Sequence, residues 1–192
     1  IVRDRFLVNM TEEEWDDVVR VHLKGHFAPT RWAAAHWRDQ AKAGHQVKAA
    51  VVNTSSTSGL LGNPGQANYG AAKAGVAAFT QICALELARY GVRCNAVVPV
   101  ARTRLTEGTP GLAEVVRAPD EPADLDQWDP ANVSPLVAYL ATADCPANGR
   151  VLLAHGGKVQ LFSPWALGDY VERDSRWTVE ELARELTGLV RG

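Results

Sequence analysis

Val47-Lys48-Ala49-Ala50-Val51-Val52-Asn53, then residues 67–90, then Val92-Arg93-Cys94-Asn95-Ala96-Val97-Val98-Pro99 is the stretch on which the fold turns. The block Ala49-Ala50-Val51-Val52 is short, apolar and bounded by polar residues. That pattern predicts a strand buried on both faces, the kind found in parallel sheets. A loop rich in Ser, Gly, Asn and Pro covers 54–66, and 67–90 predicts a long helix that Gly91 ends. Residues 92–98 predict a second buried strand, stopped by Pro99. A strand, a helix of that length and another strand make a right-handed crossover between parallel neighbours.

The same reading extends in both directions. Thr11-Glu12-Glu13-Glu14 is a capping box, in which Thr11 caps free amides and Glu14 reaches back. A helical pattern follows to about residue 43, with a kink expected around Gly25 and Pro29 and a stop at Gly44. Residues 100–128 are irregular. Asp129-Pro130 opens a helix expected to run to 143, 151–154 predicts a third strand, and Gly156-Gly157 is a turn before a candidate fourth strand at 159–162. An amphipathic helix capped by Thr178 closes the chain. Alternating strands and helices define an α/β class, a Rossmann-type doubly wound parallel sheet. Such sheets bind ligands at the carboxyl ends of their strands, here the loops starting at Thr54 and Pro99.

The chain's 192 residues suit one domain. Twenty basic against 22 acidic residues leave a net charge of -2, which predicts neither a nucleic-acid partner nor an anionic membrane surface. No uninterrupted apolar run approaches the roughly eighteen residues of a membrane span. Three cysteines, Cys83, Cys94 and Cys145, without C-x-x-C spacing point to a reducing, cytoplasmic compartment. His22 and His26 lie four apart, but no Glu or third ligand accompanies them, so no metal site is expected.

Chemistry concentrates on Tyr69 and Lys73, four apart on one helix face. An ammonium beside a phenol favours the phenolate, so Tyr69 is expected to titrate below its ordinary value, as a general acid/base requires. Ser56 sits thirteen residues upstream, in the loop leaving the first strand, where its hydroxyl could share a substrate oxygen with Tyr69. Chance gives a Tyr four before a Lys in about one such chain in ten, and the Ser reduces that to a few in a thousand.

Asn53-Thr-Ser-Ser56-Thr-Ser-Gly59, Gly65-Gln-Ala-Asn-Tyr69-Gly-Ala-Ala-Lys73 and Cys94-Asn95-Ala-Val-Val-Pro99 together resemble the short-chain dehydrogenase/reductase family. The resemblance implies hydride transfer between a nicotinamide (NAD or NADP, undecided) and a carbonyl or secondary alcohol. It makes Tyr69 the proton donor or acceptor and Ser56 the holder of the substrate oxygen. Lys73, with Tyr69, would bind the nicotinamide ribose, and Pro99, Val100 and Thr103 would lie along the nicotinamide. His22 stands where many members carry an Asn serving a proton relay, so it is a candidate catalytic residue, although a helical His more often bonds a carbonyl structurally. His22 and the Pro99-Val100 pair resemble the (3R)-hydroxyacyl-CoA dehydrogenases of the multifunctional type 2 kind and their single-domain bacterial relatives. The substrate implied is a small-molecule acyl thioester. Another carbonyl (a ketoacyl carrier protein, steroid or xenobiotic) and a non-catalytic scaffold role are the alternatives.

Residues 1–192 also resemble the C-terminal part of a single domain, with a C-terminal extension at 163–192. The chain opens on Ile1 without Met, and the family's Gly-rich cofactor turn does not occur. An N-terminally truncated sheet is therefore expected, with an open edge at the first strand and weak cofactor binding. The small residues of the 67–90 helix suit a homodimer or homotetramer interface as well as tight packing on the sheet. Trp128 and Trp165 could line a cleft or cover such an interface. The 100–128 loop is expected to set acyl chain length.

Overall fold

The computed structural model describes residues 1–107, 113–119, 125–163 and 165–190. It contains two compact units, Ile1–Phe162 and Ser163–Gly192. In the first, helix α1 (Glu12–Val19) passes through one turn of π-helix (Arg20–Lys24) into α2 (Gly25–Lys42). Strand β1 (Ala49–Thr54), the short helix α3 (Thr57–Leu60), the long α4 (Ala67–Leu87) and β2 (Val92–Pro99) follow. Then come α5 (Arg104–Glu107), α6 (Ser134–Ala141), β3 (Val151–His155) and β4 (Lys158–Leu161). The second unit carries α7 (Val179–Leu189).

The sheet order is β1-β2-β3-β4. β1 and β2 pair in parallel from Ala49↔Val92 to Thr54↔Val97, and β3 is parallel to β2. Alternation along β2 separates two cores. Val92, Cys94, Ala96 and Val98 face α4, while Val97 faces Leu136 and Leu140 of α6. Helices on both faces make the sheet doubly wound. β4 departs from the all-parallel expectation and pairs antiparallel with β3. The two-residue Gly156-Gly157 connection is far too short for a crossover and permits only a hairpin. Among the described residues no strand pairs with the outer side of β1, which borders a groove of about 400 Å³ against α2.

The expected capping box forms: the Glu14 amide donates to the Thr11 hydroxyl at 3.1 Å and the Thr11 amide to the Glu14 carboxylate at 3.0 Å. The irregularity predicted at Gly25–Pro29 falls earlier, in the π-turn, and α2 runs on through Pro29. Proline's ring would meet the carbonyl four residues back, that of Gly25. The widened turn ends there and takes up the misfit. Likewise the helix expected over 129–143 is split into a 3-10 turn (Pro130–Val133) and α6, because Pro135 in the first turn of α6 lacks the amide to extend a regular ladder backwards.

The helix expected over 67–90 is α4 continued by a 3-10 turn (Ala88–Tyr90), which Gly91 ends with φ +78°; a Cβ there would run into the Val47 carbonyl. By length and composition residues 67–90 are apolar enough to cross a membrane, although no uninterrupted apolar run marks them, because small Ala and Gly residues carry the apolarity. Ala72, Val76, Ala77, Thr80, Cys83, Ala84 and Leu87 of that helix are buried. In the second unit, Thr178 and Glu181 form another capping box, Arg173 pairs with Glu181, and the Arg173 guanidinium lies 5.3 Å from the Trp177 ring centre.

Buried amides lock the strand register. Asn95, fully buried in β2, donates to the Ala147 carbonyl at 2.8 Å and accepts from the Arg150 amide at 2.9 Å. Asn95→Ala leaves the partly buried Ala147 carbonyl and Arg150 amide without their partner, and unfolding in urea should show a loss of about 1–3 kcal/mol. A loss below about 1 kcal/mol would mean that water replaces the amide.

Candidate active site

The loops at the carboxyl ends of β1 and β2 converge on the first turns of α4. Asn68, wholly buried, donates to the carbonyls of Arg3 and Glu14, each at 3.1 Å, and accepts from the Tyr69 amide at 2.7 Å. That side chain fixes where α4 begins, and so where Tyr69 and Lys73 stand. Ser55 fixes the opposite side: its amide bonds the Val97 carbonyl at 2.8 Å and its hydroxyl the Lys73 carbonyl at 2.8 Å. Between them, α3 lies so close to α4 that a Cβ on Gly59 would stand 2.7 Å from the Lys73 carbonyl carbon. Glycine is required there by space rather than by dihedral angle.

Ser56 caps α3, its hydroxyl oxygen accepting from the Ser58 amide at 3.2 Å. The cap occupies a lone pair and leaves the hydroxyl proton free to donate toward Tyr69 and a substrate oxygen. Lys73 is buried, its ammonium 2.8 Å from the Thr54 carbonyl and 5.6 Å from the Tyr69 ring centre. The structure therefore brings Ser56, Tyr69 and Lys73 together, with His22 edge-on to Tyr69 at 5.0 Å between ring centres. His22 donates from Nε2 to the Ile1 carbonyl at 2.7 Å. The Ile1 amino nitrogen lies 3.3 Å from the same ring nitrogen, and burial holds the His22 pKa below the ordinary value.

Electrostatics corrects one expectation. Tyr69 is held above its ordinary value, because burial penalises the phenolate more than the Ser56 hydroxyl favours it. Lys73 gives its hydrogen bond to Thr54 and is itself pushed down by burial, from 10.5 to about 8. At neutral pH the site thus holds a protonated phenol beside an ammonium, an arrangement suited to giving a proton to a carbonyl oxygen held by Ser56.

Pro99 ends β2, and the Val100 amide bonds the Ala154 carbonyl at 2.9 Å. Both lie at the same sheet edge as Thr54 to Ser56. Thr103 follows in the loop, its amide bonded to the Thr106 hydroxyl at 2.7 Å. Arg102 anchors this loop through an ion pair with Asp126 and hydrogen bonds linking its amide to the Trp128 carbonyl and its side chain to the Val116 carbonyl. Parts of the loop expected to set chain length, 108–112 and 120–124, lie outside the described residues. Trp128 packs against His155, the rings tilted by 53° with 4.6 Å between centres. Sequence reasoning missed Ser55, Asn68 and Arg102. Only their place beside the motif residues could have marked them.

A doubly wound α/β sheet brings Ser56, in the loop after β1, together with Tyr69 and Lys73 in the first turns of α4, and comparison with known proteins makes the class specific. The short chain dehydrogenase family profile matches residues 1–110. The chain is 45% identical over 196 residues to the hydroxyacyl-CoA dehydrogenase ChsB1 of Mycobacterium tuberculosis, covering 100% of this chain and 61% of that protein. It is 41% identical over 146 residues to the (3R)-3-hydroxyacyl-CoA dehydrogenase of Homo sapiens, covering 75% of this chain and 53% of that one. It superposes with a TM-score of 0.86 and 45% identity on the crystal structure of a short chain dehydrogenase from Mycobacterium avium, covering 100% of this chain and 62% of that one. The chain belongs to the short-chain dehydrogenase family. It spans about three fifths of the first of these relatives.

The depressed Lys73 pKa has a signature in stability. Below pH 8 folded and unfolded chains both carry the proton. Between about 8 and 10.5 the unfolded chain binds a proton that the folded one has lost, so stability rises with pH. Tyr69, shifted up from 10, acts in the opposite direction only above pH 10. The urea midpoint of the wild type minus that of Lys73→Met should therefore increase from pH 8 to pH 10. A decrease would show that the ammonium stabilises the fold.

Proposed function

We propose that this protein serves an oxidoreductase that interconverts a (3R)-hydroxyacyl thioester, of CoA, and its 3-keto form with a nicotinamide cofactor. The observation that carries the reading is the complete Ser56–Tyr69–Lys73 cluster, built on a buried lysine that the fold takes care to position. The names of the two curated relatives support the acyl-CoA substrate class. The donor set suits a nicotinamide riboside. The Lys73 ammonium has three donors and spends one on Thr54, and the Tyr69 hydroxyl lies on the same helix face. Tyr69, Lys73, Pro99, Val100 and Thr103 would hold the group, which supplies or accepts the hydride when bound. NAD and NADP are equally compatible with these residues.

In this reading Ser56 donates to the substrate carbonyl oxygen and holds it against Tyr69. Tyr69 gives its proton to that oxygen as the ketone becomes an alcohol, and takes it back in the reverse direction. Lys73 keeps positive charge behind the phenol, favouring the ring when it is deprotonated. The free, buried Cys83, Cys94 and Cys145 support a reducing, cytoplasmic setting.

The same reading includes a homo-oligomer. Ala71, Ala78, Ile82 and Leu85 form an exposed stripe on α4, and Phe27 and Trp32 are exposed on α2. A groove of about 580 Å³ runs between the two helices. An apolar face of this kind marks an association surface.

Tyr69→Phe should lower kcat by about 10²–10⁴-fold, with stability nearly unchanged, when acetoacetyl-CoA reduction is followed by nicotinamide absorbance. Wild-type turnover of a steroid or carrier-protein substrate in preference to acetoacetyl-CoA would move the assignment elsewhere in the family, and a fully active Tyr69→Phe would remove the proton-transfer role. Leu85→Arg should reduce the sedimenting mass to that of a monomer. Unchanged sedimentation would place any interface elsewhere.

A further inference from the structure

The second histidine of the His22/His26 pair is placed with unusual definition. His26 Nδ1 lies 2.6 Å from the His22 carbonyl, within the π-turn, and the Thr54 amide nitrogen lies 3.2 Å from His26 Nε2. A carbonyl only accepts and an amide N–H only donates, so Nδ1 carries the proton and Nε2 presents a lone pair. The ring is therefore neutral and in one tautomer. Nothing else in the described β1 edge serves the Thr54 amide. Ser55 directs its amide to Val97, so by the alternation of a parallel ladder Thr54 directs its own amide and carbonyl to the outer edge of the sheet. His26 takes that amide, and the Lys73 ammonium takes that carbonyl at 2.8 Å.

We propose that His26 is a positioning residue: it fixes the backbone of Thr54, and through it sets the Lys73 ammonium relative to Tyr69. The chain of contacts runs from the His22 carbonyl through the imidazole to Thr54 and on to Lys73. It couples the π-turn bearing His22 to the strand end bearing the lysine. The inference rests on the dehydrogenase reading for its catalytic consequence, but not for its geometry.

A glutamine amide separates its N–H and its oxygen by nearly the same distance as the two ring nitrogens, so His26→Gln can keep both bonds, whereas His26→Leu can make neither. With acetoacetyl-CoA, His26→Leu should lose about tenfold or more in kcat with KM for the thioester little changed, and His26→Gln should recover to within about threefold of wild type. Independently of turnover, the Lys73 side-chain resonance, followed by NMR as pH is raised, should titrate at a displaced pH in His26→Leu and at the wild-type pH in His26→Gln. Coincident Lys73 titrations in all three proteins overturn the proposal, and so does a wild-type His26 imidazole found by nitrogen NMR in the Nε2–H tautomer. The latter reading holds even if His26→Leu does not fold. A wild type without turnover of any hydroxyacyl thioester overturns the functional reading instead and leaves the Lys73 and tautomer measurements to decide this one.

Discussion

A charged lysine buried where a helix meets the end of a strand is the constraint on which the rest of this structure depends. Taking an ammonium out of water is costly unless hydrogen bonds compensate. Here the compensation is one main-chain carbonyl, Thr54, whose own position must therefore be secured. The fold supplies that security from several sides. Parallel pairing holds β1 to β2, Ser55 clamps the Lys73 carbonyl, and His26 takes the outward amide of Thr54. Each contact is ordinary, and together they leave Lys73 a single arrangement.

The same logic explains the small residues and buried amides around it. Gly59 lets α3 come close enough for Ser56 to reach the Tyr69 face of α4. Asn53 donates to the Thr80 hydroxyl at 2.9 Å, Asn68 sets the first turn of α4, and Asn95 ties β2 to the segment before β3. A core built only of Val and Ala would bury as much apolar surface while fixing position less strictly. Amides with several directional bonds fix register, because a shift of one residue would leave every one of them unpaired.

Much of this was legible in the sequence. Two buried strands about a long helix gave the parallel β1–β2 pair, and the four-residue step from Tyr69 to Lys73 placed them on one face, because both follow from periodicity alone. Periodicity does not report burial depth, however, and burial decides the direction of the Tyr69 shift. The spacing predicted a phenol drawn down by its lysine. The structure has one pushed up, with the lysine's hydrogen bond directed to Thr54. The π-turn was equally hidden, since a proline marks strain without saying which turn absorbs it. The histidine spacing was visible, but its use needed the far end of β1, which only the fold brings alongside.

Burial moves Tyr69 and Lys73 in opposite senses, and this bears on how readily the phenol exchanges its proton. On raising the pH the first of the two to lose its proton is Lys73, at about 8, while Tyr69 stays protonated above its ordinary value. Once Lys73 is neutral it no longer favours the phenolate, and the phenol gives up its proton less readily. Giving a proton to a ketone and taking one from an alcohol both pass through that phenolate, so positive charge or hydrogen-bond donors close to the Tyr69 oxygen serve both directions, and the Ser56 hydroxyl is the side chain already placed to contribute.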